Sequence, residues 1–306
     1  MPMDRGEETA VSDEGRSVLI TDLALPEAPL LLPDGRWLVT ELDLQRGTVT
    51  EVLADGSRRP IARTGRPNGL ALAADGTVWV AETLDPAVIR LELSGEFTRE
   101  LDQVEGESLL WPNDLCFGAD GALYVTDSGI LIGDFLIEGR PRDGVKELPV
   151  DGRIFRFDPR SGEATFIDRG LKFTNGIAFG PDGLLYANET YTGDILRYRI
   201  EDGTVAGEKV LFANVLDPDY DEPGLRGPDG MAFSSDGRLW VAVFGQGDIT
   251  VLKPDGSVER RIKVPGRSPT NVAFGPPGDE RIYIVEDEHG SMESRSVGVG
   301  GLALYS

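Results

Sequence analysis

One cysteine, Cys116, and one histidine, His289, are all that 306 residues contain of either type. A lone cysteine forms no intrachain disulfide, so the chain is not a disulfide-stapled scaffold, and a reducing compartment, the cytoplasm, is expected. A lone histidine excludes a multi-histidine zinc site and argues against a Ser-His-Asp triad. Long apolar runs are missing too: nothing approaches the roughly 18 residues of a membrane span. The opening MPMDRGEETAVSDEGRS is polar and acidic and lacks the apolar centre of a signal peptide. Residues 1–16 are therefore expected to be a flexible tail, and 17–306 a single domain. Positive charge is scarce, with 30 Lys and Arg against 53 Asp and Glu. The resulting net charge of −23 speaks against nucleic acid and anionic membranes as partners. No helical periodicity of useful length occurs, and no glycine-rich phosphate loop precedes a helix.

What the chain does have is a repeat. An Asn or Asp is followed by an apolar run, an Asp-Gly pair, and a β-rich run that ends near an acid. In GLALAADGTVWVAE (69–82), a short strand meets a hairpin turn at Asp75-Gly76 and returns as a second strand. VIRLEL and FTREL supply two more strands. The Asp-Gly pairs open at Asp34, Asp75, Asp120, Asp182 and Asp236, so their spacings are 41, 45, 62 and 54 residues. That is the period of four-stranded propeller blades. The expected fold is an all-β, six-bladed β-propeller whose apolar first strands surround the axis. The segment SVLITDL (17–23) is expected to close the ring as the fourth strand of the last blade, with GLALYS (301–306) as its third strand.

Seven residues before each Asp-Gly aspartate stand Glu27, Asn68, Asn113, Asn175 and Asp229. A sixth copy, PTNVAFGPPGDERIYIV, has lost its Asp-Gly and gives Asn271. Repeats bring equivalent positions together, so this column should cluster oxygen ligands around the axis. Two carboxylates balance a divalent cation, and carboxamide oxygens add neutral hard ligands. Such an ion polarises a carbonyl and acidifies water. Asn68 and Asn271 are expected behind the ligands or facing substrate.

A second acidic row ends the second strands: Glu41, Glu82, Asp127, Glu189 and Glu286, with Val243 in blade five. Hairpin pairing puts this row at the same mouth, either supporting the ligands and lining the pocket or simply finishing the strands. His289, in the polar segment EDEHGSMESRS, is expected in a loop that opens there, with pocket and surface roles both open. Trp111, just before Pro112-Asn113, is a substrate wall or blade packing. Cys116 lies on a first strand and is expected to pack beside the axis. Two insertions break the period, at 129–151 and 214–227. The first leaves from the ligand mouth, and its Ile130, Leu131, Phe135 and Leu136 are expected to face the pocket or pack beside Trp111.

PEAP (26–29), WPND (111–114), TNGIAF (174–179) and GPDGMAF (227–233) followed by DGRLWVAVFGQG resemble the family of senescence marker protein (regucalcin), gluconolactonase and luciferin-regenerating enzyme. The resemblance runs over nearly the whole chain. It implies one divalent metal held by Glu27, Asn113, Asn175 and Asp229, calcium first, with zinc, magnesium, manganese or iron in other members. It also implies hydrolysis of lactones, or of phosphorus esters as in diisopropyl-fluorophosphatase-like enzymes. The first motif reads Glu-Ala-Pro where the family favours Glu-Gly-Pro. Sugar-lactonase members often place an Arg two residues before the third-blade Asn, where Trp111 stands here, which favours a less polar substrate.

The reading is a metal-dependent lactonase acting on a small molecule, with Asp229 as general base. Asn68, Trp111, Asp127, Glu189, Asn271, His289 and Phe135 are candidates for the surrounding pocket. The alternatives are a phosphotriesterase-type hydrolase, a cyclase or isomerase using the metal as Lewis acid, and a non-catalytic calcium-binding propeller.

Overall fold

A computed structural model describes residues 15–137 and 140–306, so most of the expected tail, residues 1–14, lies outside the described residues. Among the described residues there are six four-stranded antiparallel sheets, five in chain-order meanders and the sixth completed by an N-terminal strand. They are the blades of a β-propeller. The first strands are Pro26–Leu31, Pro67–Leu72, Pro112–Phe117, Thr174–Phe179, Gly227–Phe233 and Pro269–Phe274.

The Asp-Gly phrase makes its turn by a specific chemistry. Each aspartate accepts a hydrogen bond from the backbone N–H two residues on: Asp75 Oδ1 from Thr77 N at 3.0 Å, Asp182 Oδ1 from Leu184 N at 3.1 Å. The glycine between them takes a left-handed φ, 87° at Gly76 and 76° at Gly183. Asp supplies the acceptor of such an Asx turn, and Gly adopts the left-handed φ at no steric cost. The turns lie at the exposed base, and the first and second strands then rise together to the mouth.

Six apolar clusters fill the gaps between neighbouring blades. Leu30, Leu38 and Val49 of blade one, for example, pack on Leu70, Val80 and Ile89 of blade two. Ile20, Val285 and Met292 of blade six close the circle on Trp37, Val39 and Val52 of blade one. Apolar alternation on both faces of each blade thus builds a continuous ring.

Blade six corrects one expectation. Its third strand is Ser291–Ser296, not residues 301–306, and Arg16–Ile20 completes it as the fourth strand. The strand opens at Arg16, one residue before the expected boundary. SMESRS reads as a loop because it is polar. It is buried because Glu293 is paired, taking Arg16 Nε at 2.6 Å and Arg295 Nε at 2.9 Å. His289 therefore sits in a tight four-residue turn, not a long loop. The C-terminal residues instead run across the base: Gly301 bridges Ser234, Leu302 N donates to Phe233 O at 2.9 Å, and Tyr305 packs edge-on against Phe179.

Candidate active site

All six first strands break register at the column. The breaks fall between Glu27 and Leu30, Pro67 and Leu70, Pro112 and Leu115, Thr174 and Ile177, Pro228 and Met231, and Pro269 and Asn271. A bulge bends its strand and re-aims side chains. Here it occurs six times around one axis, at the level of the six column residues. All six side chains are buried, at 4–9% exposure.

The column is held from the side. Thr40 Oγ1 donates to Asn68 O at 2.8 Å, Thr126 Oγ1 to Asn175 O at 2.5 Å, and Asn188 Nδ2 to Asp229 O at 2.7 Å. Each donor precedes the acid that ends its blade's second strand and reaches the next blade. Glycines let the blades approach this closely. A Cβ on Gly176 would stand 2.3 Å from Asp229 O, and one on Gly230 would stand 2.0 Å from Asn271 Cγ.

Within this ring the carboxyls of Glu27 and Asp229 act on each other electrostatically, and Asn175 favours the charged form of Asp229. Glu27 Oε2 accepts from Asn271 Nδ2 at 2.9 Å and Ala28 N at 2.7 Å. Asn271 therefore orients Glu27. Asn113 Nδ2 donates to Ser128 Oγ at 3.0 Å, and Asn175 Nδ2 to Thr190 Oγ1 at 3.3 Å. Those hydroxyls donate onward to Thr174 O and Pro228 O. Both carboxamides are thus fixed through nitrogen, and neither Oδ1 accepts a hydrogen bond among the described residues. Asn68 is buried, and its side chain makes no hydrogen bond among them.

The electrostatics concentrate here. Burial raises Glu27 above the usual carboxylate range, and raises Asp229 well above it with help from the charges of Glu27, Asp287 and Asp114. Asp114 is pushed up to about 7 by burial and then by Glu27. Asp287 is raised well above the ordinary value by burial, Glu27 and Glu286, and its Oδ1 has no hydrogen-bond partner. Against these four acids stands Arg66, lowered to about 10 by burial. Two buried carboxyls, Glu27 and Asp229, and two partly buried ones, Asp114 and Asp287, around one buried cation form a site short of positive charge. Two carboxylates and two free carboxamide oxygens are the donor set of a hard divalent cation, so the residues fit such an ion.

The second acidic row has a different occupation. Asp127 accepts Leu110 N, Trp111 N and Gly129 N at 2.8–2.9 Å. Glu82 accepts Arg66 N and Leu84 N, Glu189 accepts Lys172 N, and Glu286 accepts Ser268 N, Glu288 N and His289 N. These acids tie down the loops that lead into the first strands. His289 Nδ1 lies 3.0 Å from Glu286 Oε2, and its side chain is 56% exposed. Glu286, Glu288 and His289 have ligand atoms within 4.8 Å of one another, the one such acid–histidine group among the described residues. Two of its three members are exposed.

The 129–151 insertion packs at the mouth. Phe135 meets Trp111 at 5.1 Å and Phe173 at 5.2 Å between ring centroids, and Ile130, Val145 and Leu136 join them. Leu131 faces solvent. Phe173 stacks on Tyr191, and Leu225 of the second insertion touches the same cluster. Trp111 Nε1 and the Tyr191 hydroxyl are buried without partners. Arg66, Asp114, Asp287, Phe173 and Tyr191 escaped the sequence reading. Arg66 alone carried a visible signal, since Arg66-Pro67-Asn68 repeats the form of Trp111-Pro112-Asn113.

Residues 94–286, well over half of the chain, match the SMP-30/gluconolactonase/LRE-like region. The chain belongs to this family. The gluconolactonase of Zymomonas mobilis is 27% identical over 286 residues, covering 87% of this chain and 77% of that protein. Among solved structures, the gluconolactonase of Xanthomonas campestris superposes with a TM-score of 0.75 at 25% identity, over 91% of this chain and 88% of that one. The calcium-binding protein regucalcin of Agrobacterium tumefaciens gives 0.74 at 22% identity, over 95% and 96%, and shares the fold. No helix among the described residues of this family member is long and apolar enough to cross a membrane.

Proposed function

We propose that the chain is a metal-dependent lactonase whose active site is the six-bulge mouth. The observation that supports this most is the set of six buried Asn, Asp and Glu side chains at six register breaks, with Asn271 bonded to Glu27, inside a fold shared with gluconolactonases. Glu27, Asn113, Asn175 and Asp229 would hold one divalent ion, calcium first because every donor is oxygen. Bound there, the ion supplies positive charge to the ester carbonyl and to the negative charge that develops on its oxygen.

The side chains have separate tasks. Asp229 takes a proton from the attacking water at a carboxylate oxygen while that water adds to the carbonyl carbon. The ring C–O bond then breaks, and the Asp229 carboxyl returns the proton to the departing alkoxide, leaving a hydroxy acid. Asn271 keeps Glu27 in place through its 2.9 Å bond. Trp111, Phe135 and Phe173 exclude water from one side of the site.

A panel of five- and six-membered lactones, assayed after chelation and after adding back calcium, magnesium, manganese or zinc, tests this reading. Turnover should vanish with chelator and return with one of these ions. Lactone turnover indifferent to chelation would overturn it. Cleavage of phosphorus esters alone would transfer the site to phosphotriesterase chemistry.

A further inference from the structure

Three arginines of the described chain are buried to within 7% exposure: Arg66, Arg153 and Arg295. Arg153 bonds Asp151 and Ser108 O, and Arg295 bonds Glu293. The Arg66 guanidinium makes no hydrogen bond or ion pair among the described residues, and its Nη1 is wholly buried. Its backbone, by contrast, is pinned: the N–H donates to Glu82 at 2.7 Å and the carbonyl accepts from Thr83 N at 3.1 Å. The guanidinium lies over the Trp111 ring, 5.2 Å from Cζ to centroid. It is therefore a fixed, desolvated cation at the metal-column mouth, held on an aromatic face and lacking an acceptor. Asp287, Glu82, Glu27 and Asp43 act on it through space without contact.

We propose that Arg66, seated on Trp111, binds a carboxylate substituent of the substrate, so that the lactones this enzyme prefers are acidic ones. This rests on the lactonase reading of the same mouth. A guanidinium has five N–H donors and no acceptor, in a planar fork that matches a carboxylate. A hydroxyl would satisfy one donor and leave the rest of the buried fork unpaired. The Trp111 ring adds a flat surface for the ring that bears the carboxylate, with its orphaned Nε1 as a further donor. Arg66 is then a specificity residue; the reacting carbonyl belongs to the Asp229 side of the mouth.

The test uses metal-loaded protein and two lactones of one ring size. One is 5-oxotetrahydrofuran-2-carboxylate, and the other is γ-valerolactone, which carries methyl where the first carries carboxylate. Wild type should favour the acid in kcat/KM. Arg66→Met should cut that preference roughly 10- to 100-fold, the worth of a charge-assisted hydrogen bond. Calorimetry with tetrahydrofuran-2-carboxylate, which has no ester to cleave, should show the same loss of affinity. It separates Arg66 from a carboxylate that merely reaches the metal, because metal binding survives in the variant. Arg66→Lys keeps charge without the fork and should weaken binding several-fold; it also serves if the Met variant does not fold. An unchanged preference, or unchanged affinity for the acid, overturns the proposal. Hydrolysis of neither lactone would count against the lactonase reading, while calorimetry would still judge Arg66.

Discussion

Two rings of acidic and amide residues share the mouth of this propeller, and they do opposite things. The outer ring, Glu41, Glu82, Asp127, Glu189 and Glu286, ends the second strands. The inner ring runs from Glu27 to Asn271 on the bulged first strands. Asp127 is enclosed by three backbone N–H groups, whereas the buried Asp229 carboxyl accepts no bond of that kind among the described residues and feels the charge of Glu27. A carboxylate supplied with backbone donors is already satisfied and serves the loop that supplies them. A buried carboxyl facing another carboxyl is in want of a cation. Proximity to a mouth does not mark a functional acid; the partners of its oxygens do.

The sharpest way to break this comparison is substitution within each ring. Asp229→Asn keeps a ligand oxygen and loses basicity, so kcat should fall roughly 10²–10⁴-fold with much of the metal affinity retained. Glu27→Gln should act through metal affinity, and excess metal should restore activity at least in part. Titration calorimetry and kcat at saturating metal decide between them. Near wild-type activity in Asp229→Asn would remove it as the base.

Asp127→Ala should behave differently. It strips partners from three N–H groups and should cost about 2–5 kcal/mol of stability. Metal affinity of the folded fraction should hardly move. Chemical denaturation beside calorimetry checks both; a variant with intact stability and lost metal would merge the two rings into one.

The column also makes a pH signature. Glu27, Asp114, Asp229 and Asp287 all have raised proton affinity, Asp114 to about 7. Between the ordinary carboxylate range, about 4, and pH 7, the folded chain holds protons that the unfolded chain has released. Chelated protein should therefore lose stability as pH rises from 5 to 8. A divalent ion should flatten the slope by taking the protons' place. Urea melts at both pH values, with and without ion, measure it, and greater stability of chelated protein at pH 8 would contradict the charge deficit.

How much of this was legible follows from period and polarity. The Asp-Gly turns and seven-residue offset were sufficient for the blades and the column, because Asp closes an Asx turn, Gly supplies its left-handed φ, and a repeat preserves register. Ser291–Ser296 was misplaced because its burial depends on Glu293 meeting Arg16, 277 positions away. Arg66 and Asp287 escaped for a related reason. Their significance lies in what their side chains fail to meet, Arg66 Nη1 and Asp287 Oδ1 both being orphaned, and a sequence pattern does not register a missing partner. Asp127 and Glu189 were candidates for the pocket, and the hydrogen bonds they accept from loop N–H groups give them other work.

The smallest expected effect belongs to His289, and it guards against the wrong metal site. Glu286, Glu288 and His289 could gather an ion, and a histidine nitrogen would draw zinc more than calcium. Yet Glu286 is already engaged by Ser268 N, Glu288 N and His289 N, and the other two side chains face solvent. An ion there would have to compete with those bonds and with water. His289→Ala should therefore change kcat less than twofold, leave the affinity for the activating ion unaltered, and shift stability by no more than about 0.5 kcal/mol, as for an ordinary surface position. Loss of metal affinity in His289→Ala, with Asp229→Asn unaffected, would move the ion from the axis to the rim.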